Sequence, residues 1–470
     1  LNILITEANE GNRRAEDRRA VLAGADADPN AEVGRAMQVL VTAEGFQVIS
    51  NQLNAFLGQL DFVSLLGAGG GGGDFQLESA TYDSVSMMLV PRPGYIEVRL
   101  TVHRLRIEMR GTVNIIFDVD VRGDMHCDDL HVDAQLILAA TPDGGIDIQV
   151  AQPQVEFVGF GYNIDNVPGF IEDLFEGTVR GMAEDMVRDG LSDLVVPELF
   201  NPDSLTQVID VLGNPVELGM KIRNIESSFD GLTLTMGAAA RAQVIEHPGG
   251  ALPVDMTDPT MSYNDQIDIG MASDLIGRML HAIWASGGLD LLLAPSGGDV
   301  ELPPQAGLAL FIDSLDEAAA GLDPTTPLSI GVRPLLPPVV RIEPGEKPLV
   351  IEFGDMMLDL SVPDGKLASV AVHAIMHMSL SVDTSSGALE LVPDISVEAH
   401  GDVDETPRGE VKEQQLEGQI ALIARLIPAA IADQTFSLGA DALPVPITLQ
   451  DARFEPDNVA SFVHIRGRLQ

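Results

Sequence analysis

Cysteine is almost missing from this 470-residue chain: Cys127 stands alone. An intramolecular disulfide is excluded, and cysteine usage does not fix the redox compartment. Aromatic residues make up 4%, so Leu, Ile, Val, Ala and Met must fill the interior. Met suits ordinary core filling and also an interior that accepts a pliable guest. Positive charge is scarce, with 27 Lys+Arg against 71 Asp+Glu and a formal net charge of -44. Such a surface repels nucleic acid phosphates and anionic membranes at long range, and no nucleic acid partner is expected. No apolar run approaches the ~20 residues that span a bilayer. No GxSxG elbow, HExxH, Walker or Rossmann fingerprint occurs. Carboxylates are so abundant that none stands out as an acid/base pair. The expectation is a protein that is not an enzyme and that holds no cofactor or metal.

Against these absences, 45% of the chain is hydrophobic and mean hydropathy is +0.16. The acids must coat a surface while aliphatic residues gather inside. One order of periodicities occurs twice, in 44–195 and in 271–433: an amphipathic helix, alternating strands, then a second amphipathic helix. In 44–60, Phe46, Ile49, Leu53, Phe56, Leu57 and Leu60 fall on one helical face. Residues 112–122 read as a strand, with Val113, Ile115, Phe117, Val119 and Val121 in alternation. Residues 132–138 and 146–150 behave alike. From Pro168 the spacing turns helical again through Phe170, Leu174, Val179, Met182, Met186 and Leu194. In the second copy, Leu275, Met279, Ile283 and Trp284 line one helix side. Strands are expected at 328–333, 349–362, 370–380 and 389–399. A helix then carries Leu416, Ile420, Ile423, Ile427 and Ile431, with Pro428 placed to kink it. Closing strands are expected in 447–469.

Other segments read as connections. Residues 1–30 are a mixed-charge extension. The glycine run 67–73 lacks a following Lys-Ser/Thr pair and reads as a linker rather than a phosphate loop. Residues 243–262, rich in Pro, Gly and Asp, read as an interdomain linker. Arg99, Arg104, Arg106 and Arg110, with His103, form a basic island in an acidic chain. It is either a docking spot for an anionic headgroup or partner, or a wet strand face matched by neighbouring acids. Its apolar parity switches between Val102 and Leu105, which predicts a bulge or bend. His373 and His377 have HxxxH spacing on a predicted strand, where four residues span about 13 Å, too far for one ion. His126, Cys127, Asp128, Asp129 and His131 are a denser set, read as an exposed polar turn or a surface metal site.

Four stretches, in order across nearly the whole chain from residue 31, carry a resemblance. They are EGFQVISNQLNAFLGQL (44–60), VPGFIEDLFEGTVRGMAEDMVRDGLSDLVVPEL (167–199), LPPVVRIEPG (336–345) and FSLGADALPVPITLQDARFEPDNVASFVHIRGRLQ (436–470). Together they resemble the bactericidal/permeability-increasing protein family, the tubular lipid-binding or TULIP proteins, which includes lipopolysaccharide-binding and lipid-transfer proteins. The resemblance implies an α+β, elongated two-barrel fold. Each barrel would be a strongly bent antiparallel sheet wrapped round a long helix pair, with a central sheet between barrels. It implies an N-terminal lipid-binding barrel over 31–242 and a C-terminal one over 263–470. Carried over by position, the first lipid pocket would involve Phe46, Ile49, Leu53, Phe56, Leu174, Met182 and Met186. The second would involve Leu275, Met279, Ile283, Ile420, Ile423 and Ile427. The alternative for each is a solid core position. The function implied is a carrier of phospholipid or other acyl-chain lipid that makes transient membrane contact, or else an envelope-lipid recognition or defence protein. The chain departs from the animal antibacterial members, since Cys127 alone cannot make their disulfide near the first barrel. A start at Leu1 rather than Met fits either a cleaved leader or a trimmed sequence, and with family habit it leads us to expect an extracytoplasmic, periplasmic or envelope-associated protein.

Overall fold

The structure, a computed structural model, describes residues 28, 30–57, 75–114, 118–165, 206–211, 214–252, 257–298, 300–301, 308–383, 389–424, 436–438, 449–457 and 461–469. Strand β1 (Val33–Thr42) leads into helix α1 (Ala43–Leu57). Strands β2 (Phe75–Thr81), β3 (Ser84–Arg92), β4 (Tyr95–Asn114), β5 (Asp118–Ala140), β6 (Ile146–Val158) and β7 (Gly161–Asp165) follow. Then come β8 (Thr206–Val211), β9 (Asn214–Ser227), β10 (Gly231–Ala242), β11 (Ile267–Ala272) and helix α2 (Ser273–Ala285). The later part holds β12 (Leu291–Ala294), β13 (Val300–Glu301), the short α3 (Ile312–Leu315), β14 (Ser329–Pro334), β15 (Val339–Ile342) and β16 (Leu349–Val362). It continues through β17 (Gly365–Asp383), β18 (Leu389–Glu405), α4 (Glu413–Ala424), β19 (Phe436–Leu438), β20 (Leu449–Pro456) and β21 (Phe462–Leu469).

These strands make an α+β protein that is mostly sheet. In the six-stranded sheet β4 and β5 are central, with β2 and β3 on one edge and β6 and β7 on the other. The eight-stranded sheet runs β13-β12-β14-β16-β17-β18-β19, with β15 also beside β16. The seven-stranded sheet runs β20-β21-β11-β1-β10-β9-β8 and so joins strands from distant parts of the chain. Pairing is antiparallel except between β12 and β13. No sheet closes on itself among the described residues. Nor is any described helix long and apolar enough to cross a membrane.

Most expected elements fall where the spacing put them, including β16 at Leu349–Val362. One reading is corrected. Residues 112–122 are not one strand, because Val113 pairs with Val119 and Asn114 with Asp118. The segment spans the β4–β5 hairpin. Val113 and Val119 stand opposite one another in its register.

Local chemistry fixes the helices. Thr42 Oγ1 accepts from the Gly45 N–H at 3.3 Å, capping α1. Phe46 and Ile49 are buried on one stripe, with Leu53 packed beside them. The next face is polar. Ser50 Oγ accepts from the Leu89 N–H at 2.9 Å, and Asn54 Oδ1 accepts from the Met87 N–H. Two side chains one turn apart thereby satisfy the free edge of β3. Ser50→Ala should leave the Leu89 N–H buried and unpaired, lowering stability by about 1–3 kcal/mol in urea unfolding. Helix α2 ends in a Schellman motif. Gly287 lies at φ 77°, its N–H reaches Trp284 O at 2.9 Å, and the Gly288 N–H reaches Ile283 O at 2.9 Å.

Apolar side chains gather in two large cores. The first takes in α1, α2 and strands of the six- and seven-stranded sheets. The second runs from Leu291 to Ile423. A smaller cluster of Ile342, Leu349, Ile351, Met376 and Val463 lies with α2 residues Ile276 and Leu280. The seven-stranded sheet also buries a polar knot. Asp268 and His464 are fully buried and joined through Nδ1 at 2.7 Å. Arg466 Nε donates to Asp268 at 3.1 Å, and the Ser262 N–H does so at 2.6 Å. Asp457 lies 3.7 Å from His464 Nε2 and accepts from the Thr260 N–H at 2.9 Å.

Candidate functional site

The six-stranded sheet carries a crease. Val102 and Leu105 are both buried, and Arg104 between them adopts φ 50°, a left-handed conformation that lets the strand change face. Strand β5 changes parity opposite it, since Cys127 and Leu130 are both buried. On the flanks, β2 gives way to β3 at Tyr82–Asp83, and β6 to β7 at Gly159, which has φ 64°. The bend expected between Val102 and Leu105 thus extends across the whole sheet.

Beside the crease, β6 presents an apolar row. Ile146, Ile148 and Val150 occupy one parity, and Pro153, Val155 and Phe157 the other, all of them partly exposed. A bulge makes them one face: Gln154 pairs with Asp133 but Ala151 with Gln135, and Gln152 lies at φ 50°. The row covers roughly 40 Å at a rise near 3.3 Å per residue. The opposite face of β6 carries Asp147, Gln149, Gln154 and Glu156, all exposed. The outer edge of β6 is unpaired among the described residues and is broken by the bulge and Pro153, which discourages strand addition. Sequence alternation had disclosed only 146–150, because the bulge resets the parity beyond Val150.

The residues expected in pockets are partly brought together. Phe46, Ile49 and Leu53 share the first core with Leu275, Met279 and Ile283. Ile420 and Ile423 lie in the second core, so the second set is divided between two cores instead of meeting in one hollow. Trp284 anchors α2 through Nε1–H to Pro334 O at 2.8 Å. Leu174, Met182, Met186 and Ile427 lie outside the described residues, as do the side chains of Phe56 and Arg110.

The basic island is matched by acids. Arg99 pairs with Glu97 at 2.6 Å and Asp133 at 3.9 Å, Arg104 with Asp83, and Arg106 with Asp124 at 3.5 Å. His103 meets Asp129 at 2.5 Å. Burial pushes the Glu97 carboxyl up, but hydrogen bonds from Arg99 and Arg92 bring it below the usual range. These exposed pairs are each worth little in stability, yet together they cancel the island's charge.

Comparison with known proteins adds context. No family model and no curated protein matches the chain. Among solved structures it is similar to the crystal structure of a lipopolysaccharide binding protein, at 14% identity and TM-score 0.46, covering 93% of this chain and 99% of that one. It is also similar to P47 of Clostridium botulinum E1, at 9% identity and TM-score 0.25, covering 94% and 100% of the two chains. P47 from Clostridium botulinum A2 matches at 7% identity and TM-score 0.25, covering 93% and 97%.

Strand geometry disperses the His126–His131 cluster. Cys127 points into the core while His126 and Asp128 face outward. No group of three or more His, Cys, Asp or Glu is set to hold a metal among the described residues. His373 is buried on β17, opposite His400. Burial pushes the Cys127 thiol up to about 11 from 9.0. Its raised value contributes stability that is present below pH 9 and lost as pH rises toward 11. Iodoacetamide at pH 8 should therefore label Cys127 slowly in the native protein and quickly in urea, as read by intact mass.

Proposed function

We propose that this protein is a lipid carrier that binds the acyl chains of phospholipid or a similar lipid in a two-barrel fold, with one chain lying along the apolar row of β6. That row carries the reading: Ile146, Ile148, Val150, Pro153, Val155 and Phe157 form a continuous apolar face left half-covered beside a creased sheet. Water there is displaced most favourably by hydrocarbon, at about 0.8 kcal/mol per buried methylene. Capture would be led by the tail rather than by headgroup charge, because Arg99, Arg104 and Arg106 are each held by an acid. The acidic coat, at a net charge of -44, keeps the loaded carrier apart from anionic surfaces until it meets its membrane. We place this work outside the cytoplasm, in the periplasm or envelope, and assign no catalysis.

Organic extraction of gently purified protein followed by mass spectrometry tests the reading. Co-purifying acyl lipid at near-stoichiometric amount is expected. Its consistent absence, together with failure to take up a fluorescent fatty-acid probe, would remove the proposal.

A further inference from the structure

A small cleft lies apart from the β6 row, between the first turns of α2 and the segment Pro337–Val340. Its volume is about 40 Å³. A single water needs some 10–15 Å³ on this measure, so the space suits a carboxylate or phosphate group and not an acyl chain. Ser273, Gly277, Arg278 and His281 line the helix side. The facing segments, Pro337–Val340 and Ala251–Leu252, bring no titratable side chain.

Arg278 gives the cleft its chemistry. It is only 5% exposed, and its Nη1 donates to Asp28 O at a long 3.3 Å. A guanidinium offers five N–H donors in a planar fork. Burial depresses its pKa, opposed by the charges of Asp274 and Asp28. Asp274, one turn earlier on α2, is the acid that lines the cleft. His281 turns its Nε2 to Gly250 O at 3.0 Å. Burial, the largest cause, lowers the pKa of the ring; the hydrogen bond to Gly250 opposes it and the charge of Arg278 adds to it. A desolvated guanidinium beside a cavity of this size is a receptor for a planar or tetrahedral oxyanion, which would compete for it with Asp274.

We infer that the α2 cleft binds a small oxyanion, a carboxylate or phosphate, through Arg278. The anion is either the head of a fatty acid or phospholipid, or a free ion.

Gly277 supplies a test that spares the charge. A Cβ there would meet Val340 at 3.9 Å, an ordinary contact. Gly277→Ala therefore narrows the cleft without forcing the backbone, and within a helix it favours folding. Thermal melting of the full chain would be followed against inorganic phosphate and against octanoate, with chloride at matched ionic strength as reference. One or both anions should raise the melting temperature of the native protein above chloride. Arg278→Gln and Gly277→Ala should each weaken that response roughly tenfold or more in half-saturating concentration. Asp274→Asn, which removes the competing carboxylate, should strengthen it. A response to octanoate alone identifies a lipid head as the ligand, and one to phosphate alone a free ion or phosphorylated head. No response beyond chloride, or a response untouched by Gly277→Ala and Arg278→Gln, overturns the inference.

Discussion

Asp268→Ala should destabilise the protein by about 3–5 kcal/mol, the cost of breaking a buried charge network by removing one partner. Asp268 is completely buried and receives His464 Nδ1, Arg466 Nε and the Ser262 N–H. Its loss would strand three donors at once. Arg466 can still reach Glu455 at 2.8 Å, but His464 is fully enclosed and keeps only the more distant Asp457. Urea unfolding followed by circular dichroism measures the effect, and a midpoint within experimental error of the native protein would refute it. The same substitution should release Ser262 to protease, because its backbone N–H is held by Asp268.

The second large effect concerns binding. Ile148→Asp combined with Val155→Asp should weaken uptake of a fluorescent fatty acid roughly a hundredfold while leaving the urea midpoint nearly unchanged. Both side chains are partly exposed at the margin of the first core, so a carboxylate there can turn to water and costs the fold little. Laid against hydrocarbon, each carboxylate must lose that hydration or take up a proton, at more than the about 2–7 kcal/mol of an unpaired neutral polar group, and tenfold in affinity is only about 1.4 kcal/mol. Gln149→Asp with Gln154→Asp adds the same charge to the exposed face of β6 and should leave uptake intact. Equal behaviour of the two pairs would show that the row does not hold the chain.

Much of this arrangement was legible in the residues. The helical stripe of Phe46, Ile49 and Leu53 and the alternation of Val370, Val372, Ala374 and Met376 announced α1 and β17. The parity switch at Arg104 announced the crease. Three kinds of information were not local. Alternation gives a strand's face but not its partner, and nothing near Val39 says that it lies between Leu234 and Ile269. The stripe of Leu275, Met279 and Ile283 marked a helix without saying which core it enters. Arg278 and His281 were passed over because a charged residue on a helix is ordinarily solvated, and their burial depends on Pro337–Val340 arriving from far along the chain.

The order of the seven-stranded sheet has a kinetic consequence. Leu40 waits for Thr233 on one side and for Asp268 on the other, and β11 in turn waits for β21, where Ile269 faces Ile465. Closing such distant pairs costs loop entropy before any contact repays it, which slows folding. During synthesis β1 must stay unpaired until β10 and then β11, about half-way along the polypeptide, have emerged, with Val39 and Val41 exposed to wrong associations. A chaperone would shelter the free edge of β11 until Phe462–Leu469 arrives to complete the pairing.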